Sequence, residues 1–128
     1  LRHCVTDKLQ GLRHCVTDKL QDEVKLQLAE LGFCERLLKL MQKCQEGAYN
    51  GESYNILKTV CDLIILILTG DDSMEKLYNG GTTEVYKKTM AWITSDDENL
   101  QIGGALAAGN FARKDDPCIQ ILMILSDL

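Results

Sequence analysis

The amino-acid sequence predicts an all-α chain wound as a right-handed α-α superhelix, a solenoid of about two to two and a half repeats. Three observations predict it. Apolar residues recur at three- and four-residue spacings, and no alternating strand pattern stands outside short runs that helices also explain. A single proline and 5% aromatic residues suit helices better than a sandwich or a barrel. One arrangement also occurs twice: a leucine, a glycine four residues on, then an amphipathic stretch, as LAELGFCERLLKLM at 28–41 and LYNGGTTEVYKKTM at 77–90. Gly32 and Gly81 stand about 49 residues apart, near the solenoid period of about 40–47.

Taken in order, the chain opens on LRHCVTDKLQ at 1–10, then Gly11, then the same residues again at 12–21. The identity is too close for an old repeat. It reads as a recent duplication or as an error in assembling the gene model. Leu1, Cys4, Val5, Leu9, Leu12, Cys15, Val16 and Leu20 follow helical spacing, and Gly11 is the weak point of that helix. His3-Cys4 and His14-Cys15 look like metal ligands. Their spacing follows from the copy, however, whereas zinc needs tetrahedrally converging ligands, so no metal site is expected.

Residues 1–23 are thus a duplicated helical segment, the end of a preceding repeat or a gene-model artefact. Residues 24–70 and 71–115 make two repeats, and 116–128 begins a divergent or truncated one. Each repeat reads as short helix, glycine turn, medium helix and long helix. The long helices are expected over 52–69, with Ile56, Val60, Leu63, Ile64 and Ile67, and over 96–114, with Leu100, Ile102, Leu106 and Phe111. Ser95 and Glu98 fit a capping box. Asp71, Asp72 and Ser73 supply a helix start, and Asp116-Pro117 reads as N-cap and first helical position. Gly47 and Gly51 mark a loop. A unit of this kind cannot bury its apolar stripe alone, so stacked units share one core and leave a concave groove along the third helices.

The net charge of -5 lacks the basic patch of a nucleic-acid binder, and no nucleic acid is expected as a partner. Six cysteines without a Cys-x-x-Cys pair read as reduced thiols of a cytoplasmic protein, with a disulfide framework the alternative. The most apolar run, 64–68, is far too short to span a bilayer, so no membrane insertion is expected. No glycine-rich phosphate loop occurs, and the duplicated histidines offer no nucleophile–base constellation. The chain is therefore read as a non-catalytic binding protein without cofactors.

Residues 80–115 resemble an armadillo repeat, with the glycine pair and a small-residue helix ending Ala-Leu-Ala-Ala-Gly-Asn-Phe-Ala. VKLQLAELG at 24–32, LILTGDDSMEKLYNGG at 66–81 and LQIGGALAAGNFARKD at 100–115 resemble the small-GTPase guanine nucleotide dissociation stimulators of the Smg GDS type. The resemblance covers roughly residues 22–119. It implies an armadillo fold and Rho- or Rap-type GTPase partners, which carry polybasic, prenylated tails. The head and the tail depart from the family's pattern, which predicts an internal slice of a longer array. The tail CIQILMILSDL is apolar nearly all round, which predicts poor solubility or self-association.

Four residues are candidates for partner binding. In armadillo repeats an asparagine on the third helix holds the backbone of a bound segment, and Asn110 matches it by resemblance. Its amide offers donor and acceptor, though it could instead bond a neighbouring turn. Ile67 stands at the equivalent place in the earlier long helix, so the asparagine ladder is broken. Arg113 and Lys114 follow one turn on, as partner contacts or as cations favouring a helix C-terminus. Asp62 interrupts an apolar face and is expected to point to the groove or to solvent. The function expected is a protein-binding module of a small-GTPase regulator, stimulating exchange or chaperoning the GTPase. The alternative is a structural armadillo scaffold that binds an extended peptide.

Overall fold

The computed structural model describes residues 21–47 and 51–128. The duplicated head at 1–20, with its histidine–cysteine pairs, lies outside the described residues, as does 48–50 in the glycine-marked loop.

The described residues form seven α-helices and no strand: α1 (Asp22–Glu30), α2 (Phe33–Glu46), α3 (Gly51–Leu68), α4 (Asp71–Tyr78), α5 (Glu84–Ala91), α6 (Glu98–Phe111) and α7 (Asp115–Ser126). Short 3-10 turns at Asn79–Gly81 and Trp92–Thr94 follow α4 and α5. The all-α expectation holds; the order of short, medium and long helix is seen in α1–α3, at 9, 14 and 18 residues, whereas α4 and α5 are equally short at 8 residues each before the 14-residue α6. Like packs on like: α1 lies along α4, α3 along α6, and α2 touches α5.

Local chemistry explains the turns. Gly32 joins α1 to α2 at φ +76°, and Gly80 and Gly81 follow α4 at +68° and +82°. That left-handed region is open to glycine at little cost, which is why both units place glycine there. Asp22 and Glu23 open α1, and Asp71 and Asp72 open α4, where a helix N-terminus favours anions. Thr83 caps α5: its hydroxyl accepts from the Tyr86 N–H at 3.1 Å and donates to the Leu77 carbonyl. It thereby ties α5 to the end of α4.

α2 is strongly amphipathic and buries Cys34, Leu37, Leu38, Met41 and Cys44 along one stripe. α3 is the central helix, packed by α1, α2, α4 and α6, so it buries more than one face, including Ile56, Val60, Leu63, Ile64 and Ile67. α6 approaches its neighbours on small residues. A Cβ on Gly104 would lie 2.8 Å from the Ile93 backbone nitrogen and 3.0 Å from the Thr89 carbonyl oxygen. On Gly103 it would lie 3.4 Å from the buried Trp92 ring and 3.6 Å from Cys61 Sγ. Below the second glycine turn, Tyr78, Tyr86 and Phe111 meet edge to face, with Tyr86 4.9 Å from Tyr78 and 5.1 Å from Phe111 between ring centroids.

Several expected boundaries are corrected. The capping box at Ser95 does not form. Asp97 is the N-cap of α6, accepting from the Asn99 and Leu100 N–H groups at 2.8 and 3.3 Å, while Ser95 accepts from Asp97 N–H at 3.1 Å. Two acidic residues precede Glu98, and the nearer one wins the cap. α6 ends at Phe111 rather than at Lys114, and Lys114, not Asp116, is the N-cap position of α7. Pro117 still sits in the first turn, where its missing N–H has no intrahelical acceptor to lose. Gly70 precedes α4 without a side-chain cap, and Ser73 instead donates to the Ile67 carbonyl at 2.5 Å. Ile102 and Leu106, read as part of the apolar stripe of α6, are 52% and 51% exposed. Among the described residues no single helix is long and apolar enough to cross a membrane.

Candidate partner-binding groove

The two long helices α3 and α6 run side by side and leave a notch of about 160 Å³ between them. Lys58, Asp62 and Ile65 of α3 line it from one side, and Asn99, Ile102 and Leu106 of α6 from the other. Both sets follow helical spacing, so each helix presents one continuous stripe. Asp62 is half-buried, and Lys58 lies one turn away with its ammonium 3.9 Å from the carboxylate. Exposed aliphatic side chains beside an ion pair suit a partner's mixed apolar and polar surface better than bond-making chemistry.

Of the residues named from the sequence, Asp62 alone lines this notch. Asn110 lies further along α6, half-buried, and its amide nitrogen donates to the Leu106 carbonyl at 3.0 Å. Ile67 is fully buried. Arg113 follows α6 and turns back onto α3: its guanidinium donates to the carbonyls of Leu68, Thr69 and Gly70 at 2.9, 2.6 and 3.3 Å. Asp71 Oδ1 lies 3.6 Å from the same group. The Leu68 and Thr69 carbonyls lie at the end of α3, where the helix also favours a cation, while the Gly70 carbonyl also accepts from the Met74 N–H at 3.0 Å and the Ser73 hydroxyl at 3.2 Å. Lys114 pairs with Glu75 at 3.5 Å. It lines a separate cleft of about 730 Å³ between α4 and the start of α7, with Tyr78, Asp115, Asp116 and Pro117.

Lys58, Ile65, Asn99, Ile102 and Leu106 went unnamed as site residues. The spacing 58, 62, 65 was available once Asp62 had been noticed. What was missing was the exposure of Ile102 and Leu106, which helical spacing alone had assigned to the buried stripe.

Cys34, Cys44 and Cys61 are buried and Cys118 is half-buried. Cys61 stands at the floor of the notch. Burial first, then the Asp62 and Asp97 carboxylates, push its thiol up to about 12, so it is no nucleophile.

No family model matches the chain. Over 98 residues it is 48% identical to the GTPase-GDP dissociation stimulator vimar of Drosophila melanogaster, covering 77% of this chain and 15% of that protein. Over 101 residues it is 41% identical to the Rap1 GTPase-GDP dissociation stimulator 1-B of Xenopus laevis, covering 79% of this chain and 16% of the relative. The 1-A form from the same species matches with the same figures. The chain therefore spans about 15–16% of the length of these relatives. The resemblance read from the sequence stands on these matches.

Proposed function

We propose, from the premise that this chain belongs by sequence with the GTPase-GDP dissociation stimulators, that it is a protein-binding module of a small-GTPase regulator. The observation that carries this is the 48% identity over 98 residues to a protein named as such a stimulator. Residues 24–70 and 71–115 are taken as two armadillo repeats, with 116–128 beginning a third. The partner is a Rap- or Rho-type GTPase, met by the stripes of α3 and α6 around Asp62, Ile65, Ile102 and Leu106, with its polybasic, prenylated tail as a further point of contact. Asn110 and Lys114 extend the contact beyond the notch, whereas Arg113 serves mainly to hold α3. The setting is cytoplasmic.

No residue of the chain acts as acid, base or nucleophile in this reading. Nucleotide loosens because the module binds the nucleotide-free GTPase more tightly than the loaded one, and a ligand shifts an equilibrium only by that difference. The test mixes the full chain with Rap- and Rho-type GTPases and follows both capture and release of bound GDP. Capture of at least one GTPase is expected, weakened about tenfold by Ile102→Glu with helicity unchanged. Failure of a folded sample to capture either GTPase would remove the reading.

A second reading is a structural scaffold segment that binds an extended peptide. The Asn110 amide nitrogen donates to the Leu106 carbonyl of its own helix, which leaves it less able to hold a bound backbone and weighs against this second reading. Capture of extended peptides without any GTPase would select it.

A further inference from the structure

The elbow between α3 and α4, at Thr69 and Gly70, is held from three directions. From α1, Lys25 Nζ donates to Thr69 Oγ1 at 2.8 Å, and Asp22 Oδ1 lies 3.6 Å from the same ammonium. From beyond the end of α6, Arg113 donates to the Leu68 and Thr69 carbonyls. From α4, the Ser73 hydroxyl donates to the Ile67 carbonyl. Thr69 donates its own hydroxyl to the Leu66 carbonyl at 2.6 Å. Each carbonyl of residues 66–69 thus has a donor, where a helix end would ordinarily leave acceptors to water.

The Lys25 side chain is only 12% exposed, and a Cβ on Gly70 would lie 3.2 Å from its Cδ. A charge-assisted hydrogen bond in so dry a setting is stronger than one at the open surface. Lys25 belongs to the first unit and Arg113 to the second. Both end on Thr69, one at its hydroxyl and the other at its carbonyl.

Ile65, on the α3 wall of the notch, lies about one turn before Thr69, and Leu106, on the α6 wall, about two turns before Arg113. A helix is stiff over such lengths, so joining the two ends fixes the spacing of the two walls. Beside the notch the helices meet over Gly103 and Cys61, and a glycine offers no ridge to interlock.

We propose that Lys25 and Arg113 are positioning residues: by clamping Thr69 from two sides they fix α3 against α6 and so set the width of the notch that meets the partner. Neither side chain lines the notch. For the partner, this rests on the reading of the chain as a GTPase-binding module.

The experiment times the reaction of the buried thiols of the full 128-residue chain with an uncharged maleimide, each cysteine followed by peptide mass. Cys61 lies at the floor of the notch, whereas Cys34 and Cys44 lie on α2. Arg113→Ala is expected to raise the rate at Cys61 about fivefold or more, while Cys34 and Cys44 change less than about twofold. Lys25→Met is expected to act in the same direction, as is Thr69→Val, which keeps the carbonyl for Arg113. Circular dichroism checks that each variant keeps its helices, and one that does not is replaced by the other two. Capture of Rap- and Rho-type GTPases by the same variants is expected to weaken about fivefold. Equal acceleration at all three cysteines, no acceleration at Cys61, or unchanged capture by a variant whose Cys61 has become reactive would each overturn the proposal. A parent chain that captures no GTPase removes the functional reading instead, and the thiol rates then decide the clamp alone.

Discussion

The guanidinium of Arg113 donates to the main-chain carbonyl of Thr69 at 2.6 Å across 44 residues of sequence. The neighbouring carbonyls of Leu68 and Gly70 share the same group, and the Asn110 carbonyl holds its Nε at 3.1 Å. One side chain thus closes the end of α3 and fastens it to the end of α6. Arg113→Ala is expected to cost about 2 kcal/mol, since charged donors to the Leu68 and Thr69 carbonyls at the helix end are each worth more than a neutral hydrogen bond, less the solvent exposure here. Arg113→Lys is expected to recover less than half, because an ammonium cannot fork across three carbonyls. Urea denaturation reads both, and an Ala variant within about 0.5 kcal/mol of the parent would deny the tie its role.

Two glycines of α6 are expected to respond in opposite directions. At Gly104 a Cβ would meet backbone atoms of Ile93 and Thr89 at 2.8 and 3.0 Å, so Gly104→Ala pushes α5 and α6 apart and costs about 1–3 kcal/mol. At Gly109 a Cβ meets nothing within 4 Å, so Gly109→Ala gains about 0.5–1 kcal/mol from helix propensity. Melting temperatures that move the same way for both would contradict this reading of the packing.

The Tyr86 hydroxyl is buried and has no hydrogen-bond partner among the described residues. Its ring fills the cluster with Tyr78 and Phe111, but its oxygen is desolvated without return. Tyr86→Phe should therefore be neutral or stabilise by up to about 1 kcal/mol. A clear loss of stability would mean that the hydroxyl has an acceptor.

The buried thiols set an alkaline limit. Burial, aided by the adjacent Glu35 carboxylate, pushes Cys34 up to about 12 from the ordinary value of 9.0, and Cys61 rises to about 12 as well. Burial also raises Tyr78 and Tyr86, with Asp116 and Tyr78 respectively as the lesser causes. Above the ordinary thiol range the unfolded chain gives up these protons while the folded chain keeps them. The folded state then binds more protons, so stability falls as pH rises. Stability should be level with respect to these groups below about pH 8 and should decline from about pH 9 toward 12. Urea midpoints at neutral and alkaline pH test this, and an unchanged midpoint would count against it.

What was legible in the sequence was what local sterics decide. Gly32 and Gly81 announced the turns because a left-handed backbone nearly requires glycine, and the helical class followed from spacing alone. Asp62 was legible as an acid in an apolar stripe, and it does reach the notch. Arg113 was not, because its acceptors lie 43 to 45 residues away and a cation after a helix looks the same whichever helix it serves. The cap at Asp97 was missed for a smaller reason: Ser95, Asp96 and Asp97 all have suitable oxygens, and only the bend before α6 selects among them.

The close contact between Trp92 and Gly103 has a practical consequence. Trp92 is the only tryptophan of the sequence, and its indole is buried where α6 comes down beside Cys61 of α3. Loosening of α6 from the Trp92–Thr94 turn would carry that indole into water and shift its emission to longer wavelength. The chain therefore contains its own optical gauge of the packing inside its second unit, readable without any label and independent of total helix content.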